Sequence, residues 1–496
     1  MSGREGGGFD ETITSERAIL RDYITRGEDL PTDVPTIGSP FEENHVPESE
    51  LGVYRSPDAR KLVTADLDVI QELAAKSKSP PSFLEAGPRR HLFYDPRGVR
   101  VAVVTTGGLA PGLNSIVHSI VKRHFRTYKL NEGMEGAVFG VYDSFIGLKH
   151  KPMQMAPLRP HETEEWLEKG GSELGNRRTG KGADLDGFAH DLVANLANNN
   201  INILYVIGGD GSQTVAHRIA RNAESLSVVG LPKTMDNDLL WVWQSFGFNT
   251  AVERATEIIN IMNCEACSTR RVCVVELFGA ESGFISASSV LASGHANLVL
   301  IPEEFKNLTP EQCETALQIY VKHLQRAVNR DTKRPHGVVV VAEGVGKLLT
   351  EKSVKLAGHP ITGDFVGILR DYLESRLRDT LGEPVPVFVN RPLHQIRAGK
   401  ANAHDQMYCE RLGALAVDNA LAGYTDFMIS QWLTEYVLVP LELVAGKRKS
   451  IPLEGIFWKQ VCSSTGQPSI AGMASRNGEL AKAKGASAGV QLESGS

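Results

Sequence analysis

From residue 99 onward, short runs of consecutive apolar residues alternate with stretches whose apolar positions recur every three or four residues. "VRVAVVTTGG", "INILYVIGG", "SLSVVG", "RRVCVVEL", "ANLVLIP", "HGVVVVAE" and "PVPVFV" are the runs. Their β-branched content and lack of polar alternation predict strands buried on both faces. "PGLNSIVHSIVKRHF", "SQTVAHRIARNAE", "ALQIYVKHLQRAV" and "VGILRDYLESRLRD" lie between them and predict amphipathic helices. Strands of this type alternating with helices predict an α/β protein with parallel sheets covered on both sides. In such folds ligands sit beyond the carboxyl ends of the strands, so the residues just after each run are those to inspect.

Residues 1–97 break the pattern. They are rich in proline, glycine and acids, with isolated helical stretches such as "SERAILRDYI" and "TADLDVIQELAAK", and read as an N-terminal extension lying on the body. Residues 462–496 read as a flexible Ala/Gly/Ser-rich tail. A chain of 496 residues exceeds one ordinary core, so at least two domains are expected. A net charge of −6 argues against nucleic acid and against an anionic membrane surface as partners. No apolar run approaches a membrane span, and the first residues lack a secretory signal pattern, so the expected location is the cytoplasm. Six cysteines make no disulfide framework, and the C-x-x-C at Cys264 and Cys267 falls in a helical stretch without further metal-ligand spacing.

Three predicted strand ends carry glycine: "TTGGLAPGLN", "GGDGSQ" and "LFGAESGF". Glycine at a strand-to-helix turn lets backbone N–H groups approach an anion, and the helix start favours negative charge. Asp210 inside "GGDG" would repel a phosphate unless a cation lay between them, which Mg²⁺ would satisfy; a helix cap is the alternative. "GNRRTGKG" imitates a P-loop but lacks the final hydroxyl residue and follows a helical stretch, so it reads as a basic loop around Arg177, Arg178 and Lys181. "PKTMDND" places Lys233, Thr234, Asp236 and Asp238 after an apolar strand. A capping turn needs one aspartate; two with a lysine and a threonine suit phosphoryl transfer, which requires a phosphate clamp, a metal and a proton acceptor.

"GGLAPGLN", "GGSELGNRR", "GGDGS", "PKTMDND", "FGAESGF", "AEG" and "HQIR" occur here in the order and approximate spacing of the phosphofructokinases, and the chain resembles that family over about residues 99–461. The resemblance implies two Rossmann-like three-layer α/β domains with parallel-rich sheets and the active site in the cleft between them. The expected boundaries are 98–240 for the nucleotide-binding domain, completed by part of 425–461, and 241–424 for the sugar-phosphate-binding domain. It implies ATP as donor, fructose 6-phosphate as acceptor, Mg²⁺ as cofactor, and a homotetramer or homodimer sharing active sites. Asp236 matches the proton acceptor, with Lys233, Thr234 and Asp238 beside it, and Asp210 the metal ligand. Gly107, Arg178, Thr179, Gly209, Asp210, Gly211 and Ser212 match nucleotide-binding positions. Thr234, Met235, Asp236, Phe278, Gly279, Ala280, Glu343, His394 and Arg397 match the sugar-phosphate site, and Arg271 an arginine that serves a neighbouring subunit.

Two positions bear on the ligands. Gly211 stands where pyrophosphate-using relatives have an aspartate, whereas Lys233 is typical of those relatives; the long ATP-dependent branch combines the two, so ATP is expected. Ala280 replaces an arginine that helps hold the sugar phosphate, and Arg270 or Arg271 is expected to compensate. Alternatives are pyrophosphate as donor, a different sugar phosphate as acceptor, or a catalytically weakened nucleotide-binding regulatory homologue.

Overall fold

Each of the seven apolar runs forms a strand in the computed structural model, which describes residues 12–130, 137–177, 184–330, 333–382 and 384–470. The fold is α/β, and the chain divides into two compact units. One comprises residues 16–250 and 397–449, the other residues 1–15, 251–396 and 450–496. No helix among the described residues is long and apolar enough to cross a membrane.

The first unit is built on nine strands in the order 60–62, 82–85, 435–440, 427–432, 227–232, 203–208, 100–105, 137–141 and 155–157. The five from 427–432 to 137–141 run parallel, and the flanking ones pair antiparallel. Every residue of Ile203–Gly208 and Ser227–Pro232 is buried, as expected of strands covered on both faces. Val101, Val103, Tyr205, Ile207, Val229 and Leu231 pack with Leu412 and Ala416 of the helix Ala403–Leu421. Asp418 of that helix is buried and receives the Arg123 fork, Nε at 2.9 Å and Nη2 at 2.8 Å. Burial pushes its carboxyl up while Arg123 pulls it back.

The acid-rich region before residue 98 is woven into this sheet rather than simply laid over it. Its strands Arg60–Leu62 and Ser82–Glu85 extend the edge beyond Glu435–Pro440. Its helix Thr12–Arg26 buries Glu16, Leu20 and Ile24, a spacing of four that makes one face. The apolar residues of this stretch are divided among a sheet edge, the face of this helix, the Val69 and Leu73 face of the helix Leu67–Ala75, and single core positions such as Val46 and Leu92, which explains why the sequence shows so weak a pattern there.

The second unit has four parallel strands in the order Leu298–Leu300, Gly337–Ala342, Val272–Leu277 and Val387–Asn390. Its core joins these strands to the helices Pro310–Val328, Glu343–Glu351 and Phe365–Leu381. Cys264 and Cys267 lie on the helix Phe248–Thr269, and none of the six cysteines forms a disulfide.

Candidate active site

In the nine-stranded unit, three neighbouring parallel strands end side by side: Arg100–Thr105, Ile203–Gly208 and Ser227–Pro232. The turns that follow them carry Gly107, the stretch Gly209–Ser212, and the stretch Lys233–Asp238. Gly107 has φ +87°, a conformation that favours glycine, and its N–H donates to the Arg177 carbonyl at 3.2 Å. The Lys233 side chain is buried and donates to the Gly108 carbonyl at 2.5 Å. A Cβ on Gly107 would lie 3.1 Å from the Lys233 ammonium, so the first and third turns meet at this lysine. The second joins them where the Lys233 N–H donates to the Gly208 carbonyl at 3.2 Å.

Within "KTMDND" the side chains brace one another. Thr234 Oγ1 donates to Asp238 Oδ1 at 2.7 Å and accepts from the Asp236 N–H at 3.2 Å. Asn237 takes a positive φ of 52°, and its Oδ1 accepts from the Ser245 N–H at 3.0 Å. Met235 and Asp238 are buried, while Asp236 is half-buried. Burial drives the Asp238 carboxyl up; the Thr234 bond and Arg448 lower it, and the Asp210 charge raises it further.

Asp210 is the first residue of the helix Asp210–Asn222, whose N-cap is Gly209, so its carboxylate does not cap this helix. It accepts instead from Arg448: Nε to Oδ2 at 2.9 Å and Nη2 to Oδ1 at 3.1 Å. The carboxylate thus faces a position already held by a positive group. Its hard oxygens, with Asp238 nearby, fit Mg²⁺, which commonly takes one or two carboxylates and completes its shell with phosphate oxygens and water. Ser212 is buried beside this turn. Arg178 and Thr179 lie outside the described residues.

In the four-stranded unit, the ends of Val272–Leu277, Gly337–Ala342 and Val387–Asn390 gather a second set. Phe278, Gly279 and Ala280 follow the first strand, Glu343 the second, and His394 the third, in the short helix Leu393–Arg397, whose last residue, Arg397, already belongs to the nine-stranded unit. Gly279 has φ +138°, and its carbonyl accepts from the Gly344 N–H at 3.0 Å. A Cβ on Gly344 would lie 2.3 Å from the Ala280 carbonyl oxygen, so the two turns touch only because residue 344 is glycine. Glu303 closes the loop by accepting from the Gly283 N–H at 3.0 Å.

Arg271 precedes Val272–Leu277, at the end opposite Ala280. Six residues of strand separate them by about 20 Å, so neither Arg270 nor Arg271 compensates for Ala280 within this chain. Two basic groups on the Ala280 side are ion-paired: Lys347 with Glu281 at 2.9 Å, and Arg391 with Glu276 at 2.8 Å and with Asp364. Reading the sequence also missed Arg448 and Lys449. Arg448 lies 238 positions from Asp210, and nothing in "GKRKS" distinguishes it from an exposed basic run.

The fold and these sites define an α/β protein with two parallel-rich sheets and charged groups at the strand carboxyl ends. A sequence profile described as Phosphofructokinase matches residues 100–420, and the chain belongs to that family. It is 32% identical to "ATP-dependent 6-phosphofructokinase" of Amycolatopsis methanolica, over 87% of this chain and 92% of the relative. The enzyme of the same name from Trypanosoma cruzi is 33% identical, over 76% of this chain and 75% of the relative. Among solved structures, a pyrophosphate-dependent phosphofructokinase from Marinobacter aquaeolei shares the fold, with a TM-score of 0.58, 17% identity, and 75% and 92% of the two chains covered. A Saccharomyces cerevisiae phosphofructokinase matches at a TM-score of 0.55 and 24% identity over 78% of this chain, which spans about half (48%) of that one.

Proposed function

We propose that the protein is an ATP-dependent 6-phosphofructokinase. It transfers the γ-phosphoryl group of ATP to the 1-hydroxyl of D-fructose 6-phosphate, giving fructose 1,6-bisphosphate and ADP. The observation that carries this reading is the convergence of Lys233, Thr234, Asp236 and Asp238 with the turns of Gly107 and Gly209–Ser212 at three adjacent strand ends. Asp236 accepts the proton of the attacking hydroxyl. Lys233, held at the Gly108 carbonyl, and Thr234 face the group in transit. Asp210 would hold Mg²⁺, whose charge offsets that of the donor phosphates when it is bound. The nucleotide lies on the nine-stranded unit, along Gly107, Gly209–Ser212 and, by resemblance, Arg178 and Thr179. By resemblance, Phe278, Gly279, Ala280, Glu343, His394 and Arg397 take the sugar phosphate.

Gly211 supports ATP over pyrophosphate. A Cβ there would meet nothing within 4 Å, so the space beside Asp210 is open to an α-phosphate. Lys233 favours the second reading, pyrophosphate as donor. The position of Arg271, remote from Ala280 in its own chain, supports a homodimer or homotetramer in which it serves another subunit. A cytoplasmic glycolytic role completes the reading.

The test is to incubate the protein with Mg²⁺ and fructose 6-phosphate, with ATP in one reaction and pyrophosphate in another, and to measure fructose 1,6-bisphosphate. Product from ATP alone is expected. Product from pyrophosphate alone overturns the donor assignment. Product from neither moves the question to other sugar phosphates, because of Ala280. Gly211→Asp is expected to raise the KM for ATP at least tenfold, since a carboxylate would then occupy the open space and repel the α-phosphate. An unchanged KM removes the argument from Gly211.

A further inference from the structure

Two carboxylates of the proposed donor site share one guanidinium. Arg448 makes a two-point contact with Asp210, at 2.9 and 3.1 Å, and its Nε lies 3.7 Å from Asp238 Oδ2. The side chains grade inward: Arg448 is 41% exposed, Asp210 23% and Asp238 9%. The guanidinium therefore covers the carboxylates from the solvent side. Its backbone is fixed by the next residue. The Lys449 N–H donates to the Asp238 carbonyl at 2.9 Å, and the buried Lys449 ammonium donates to the Val242 carbonyl at 2.6 Å. A pinned backbone with a half-exposed side chain is the arrangement of a group that can change partners without moving the chain.

Arg448 and a divalent cation compete for the same oxygens of Asp210. A polyphosphate is the natural alternative partner for a guanidinium, because it offers the same paired anionic oxygens as a carboxylate. We propose that Arg448 is a positioning residue of the donor site, which holds Asp210 while no donor is bound and releases it to the divalent cation when a polyphosphate takes over the guanidinium. The inference rests on Asp210 being the metal ligand. Cation and polyphosphate then bind with positive coupling, because each favours the state in which Arg448 has left Asp210.

The experiment is a titration of the full chain with Mn²⁺ alone, with no nucleotide or sugar present, followed by electron paramagnetic resonance. Arg448→Met removes the competitor and is expected to bind Mn²⁺ roughly two- to fivefold more tightly than the unaltered protein, the range set by losing one partly exposed ion pair. Damage to the fold would act in the opposite direction. Asp210→Asn added to Arg448→Met should abolish the gain. If Arg448→Met binds no more tightly while Asp210→Asn weakens binding, the proposal fails and the metal assignment stands. If Asp210→Asn leaves the binding of Arg448→Met unchanged, Asp210 is not the ligand and both readings fall. Should Arg448→Met not fold, Arg448→Lys, which keeps the charge and loses the fork, carries the test: tighter Mn²⁺ binding than the unaltered protein upholds the proposal, and equal binding overturns it.

Discussion

The two groups of strand ends in this molecule are built differently. In the nine-stranded unit, side chains tie the turns together: Lys233 reaches the Gly108 carbonyl and Arg448 spans Asp210 and Asp238, while Thr234 braces its own turn through Asp238. In the four-stranded unit, the turns meet through main chain, where the Gly344 N–H donates to the Gly279 carbonyl. There two of the cations are engaged by local carboxylates, Lys347 by Glu281 and Arg391 by Glu276 and Asp364. The first region is a charged site whose groups are already positioned by one another. The second is a shaped surface with a small residue, Ala280, just beyond the end of its strand. The comparison teaches that the proposed donor half is braced by its own charged side chains, whereas in the proposed acceptor half Lys347 and Arg391 would each have to give up a carboxylate before meeting a phosphate.

The largest effect should come from the donor half. Asp236→Ala is expected to lower turnover by about 10²- to 10⁴-fold, the usual contribution of a positioned base, with nucleotide affinity and thermal stability little changed. Steady-state kinetics with a melting curve check it. A variant that kept near-normal turnover would show that the ordered donor half does not supply the proton acceptor.

The acceptor half should respond to a restored charge. Ala280→Arg is expected to lower the KM for fructose 6-phosphate by roughly ten- to a hundredfold, because a charge-assisted bond to phosphate contributes about 1.5–3 kcal/mol. The KM for ATP should not move. If the sugar-phosphate KM is also unchanged, Lys347 or Arg391 already fills the role, and the contrast between the halves is smaller than their resting geometry indicates.

The smallest effect tests what braces the donor half. Glu16, from the N-terminal helix, is buried and accepts from the Trp241 N–H at 3.1 Å, three residues beyond Asp238. Burial raises its carboxyl to about 7, with Lys449 opposing the shift. A carboxyl raised in the folded state stabilises fully below its unfolded value near 4.5, and that contribution is lost as pH rises through about 7. Glu16→Gln should therefore gain stability relative to the unaltered protein, by about 1–3 kcal/mol, as pH rises from 5 to 8. Chemical denaturation at several pH values would measure it. Parallel stability curves for the two proteins would mean that Glu16 is already charged at neutral pH beside Lys449.

Much of this architecture was legible in the chain. The buried parallel strands announced themselves as uninterrupted apolar runs, and the residues after each run are those the fold gathers at the strand ends. "PKTMDND" and "GGDG" were readable because their charge is out of place after an apolar strand. The extension was readable only as something other than the body, since its two short strands at 60–62 and 82–85 are too brief to show a period. The strands at 137–141 and 155–157, which close one margin of the sheet, were likewise not marked out, nor was the pair at 427–440, where Ser430 and Gln431 interrupt the apolar run of an interior strand.

The sequence by itself determined the α/β class, the family and the identity of the candidate donor-site groups, because these depend on local composition and on the order of short motifs. Only the tertiary structure decided which charges meet. It brought Arg448 to Asp210 across 238 positions, set Glu16 beneath Trp241, and put Arg271 at the far end of the strand from Ala280. The separation of Arg271 from Ala280 follows from how parallel strands align, since alignment collects carboxyl ends on one side and amino ends on the other. Arg448 and Glu16 arrive instead from the segment after the antiparallel strand Glu435–Pro440 and from a packed helix, placements that no local pattern encodes.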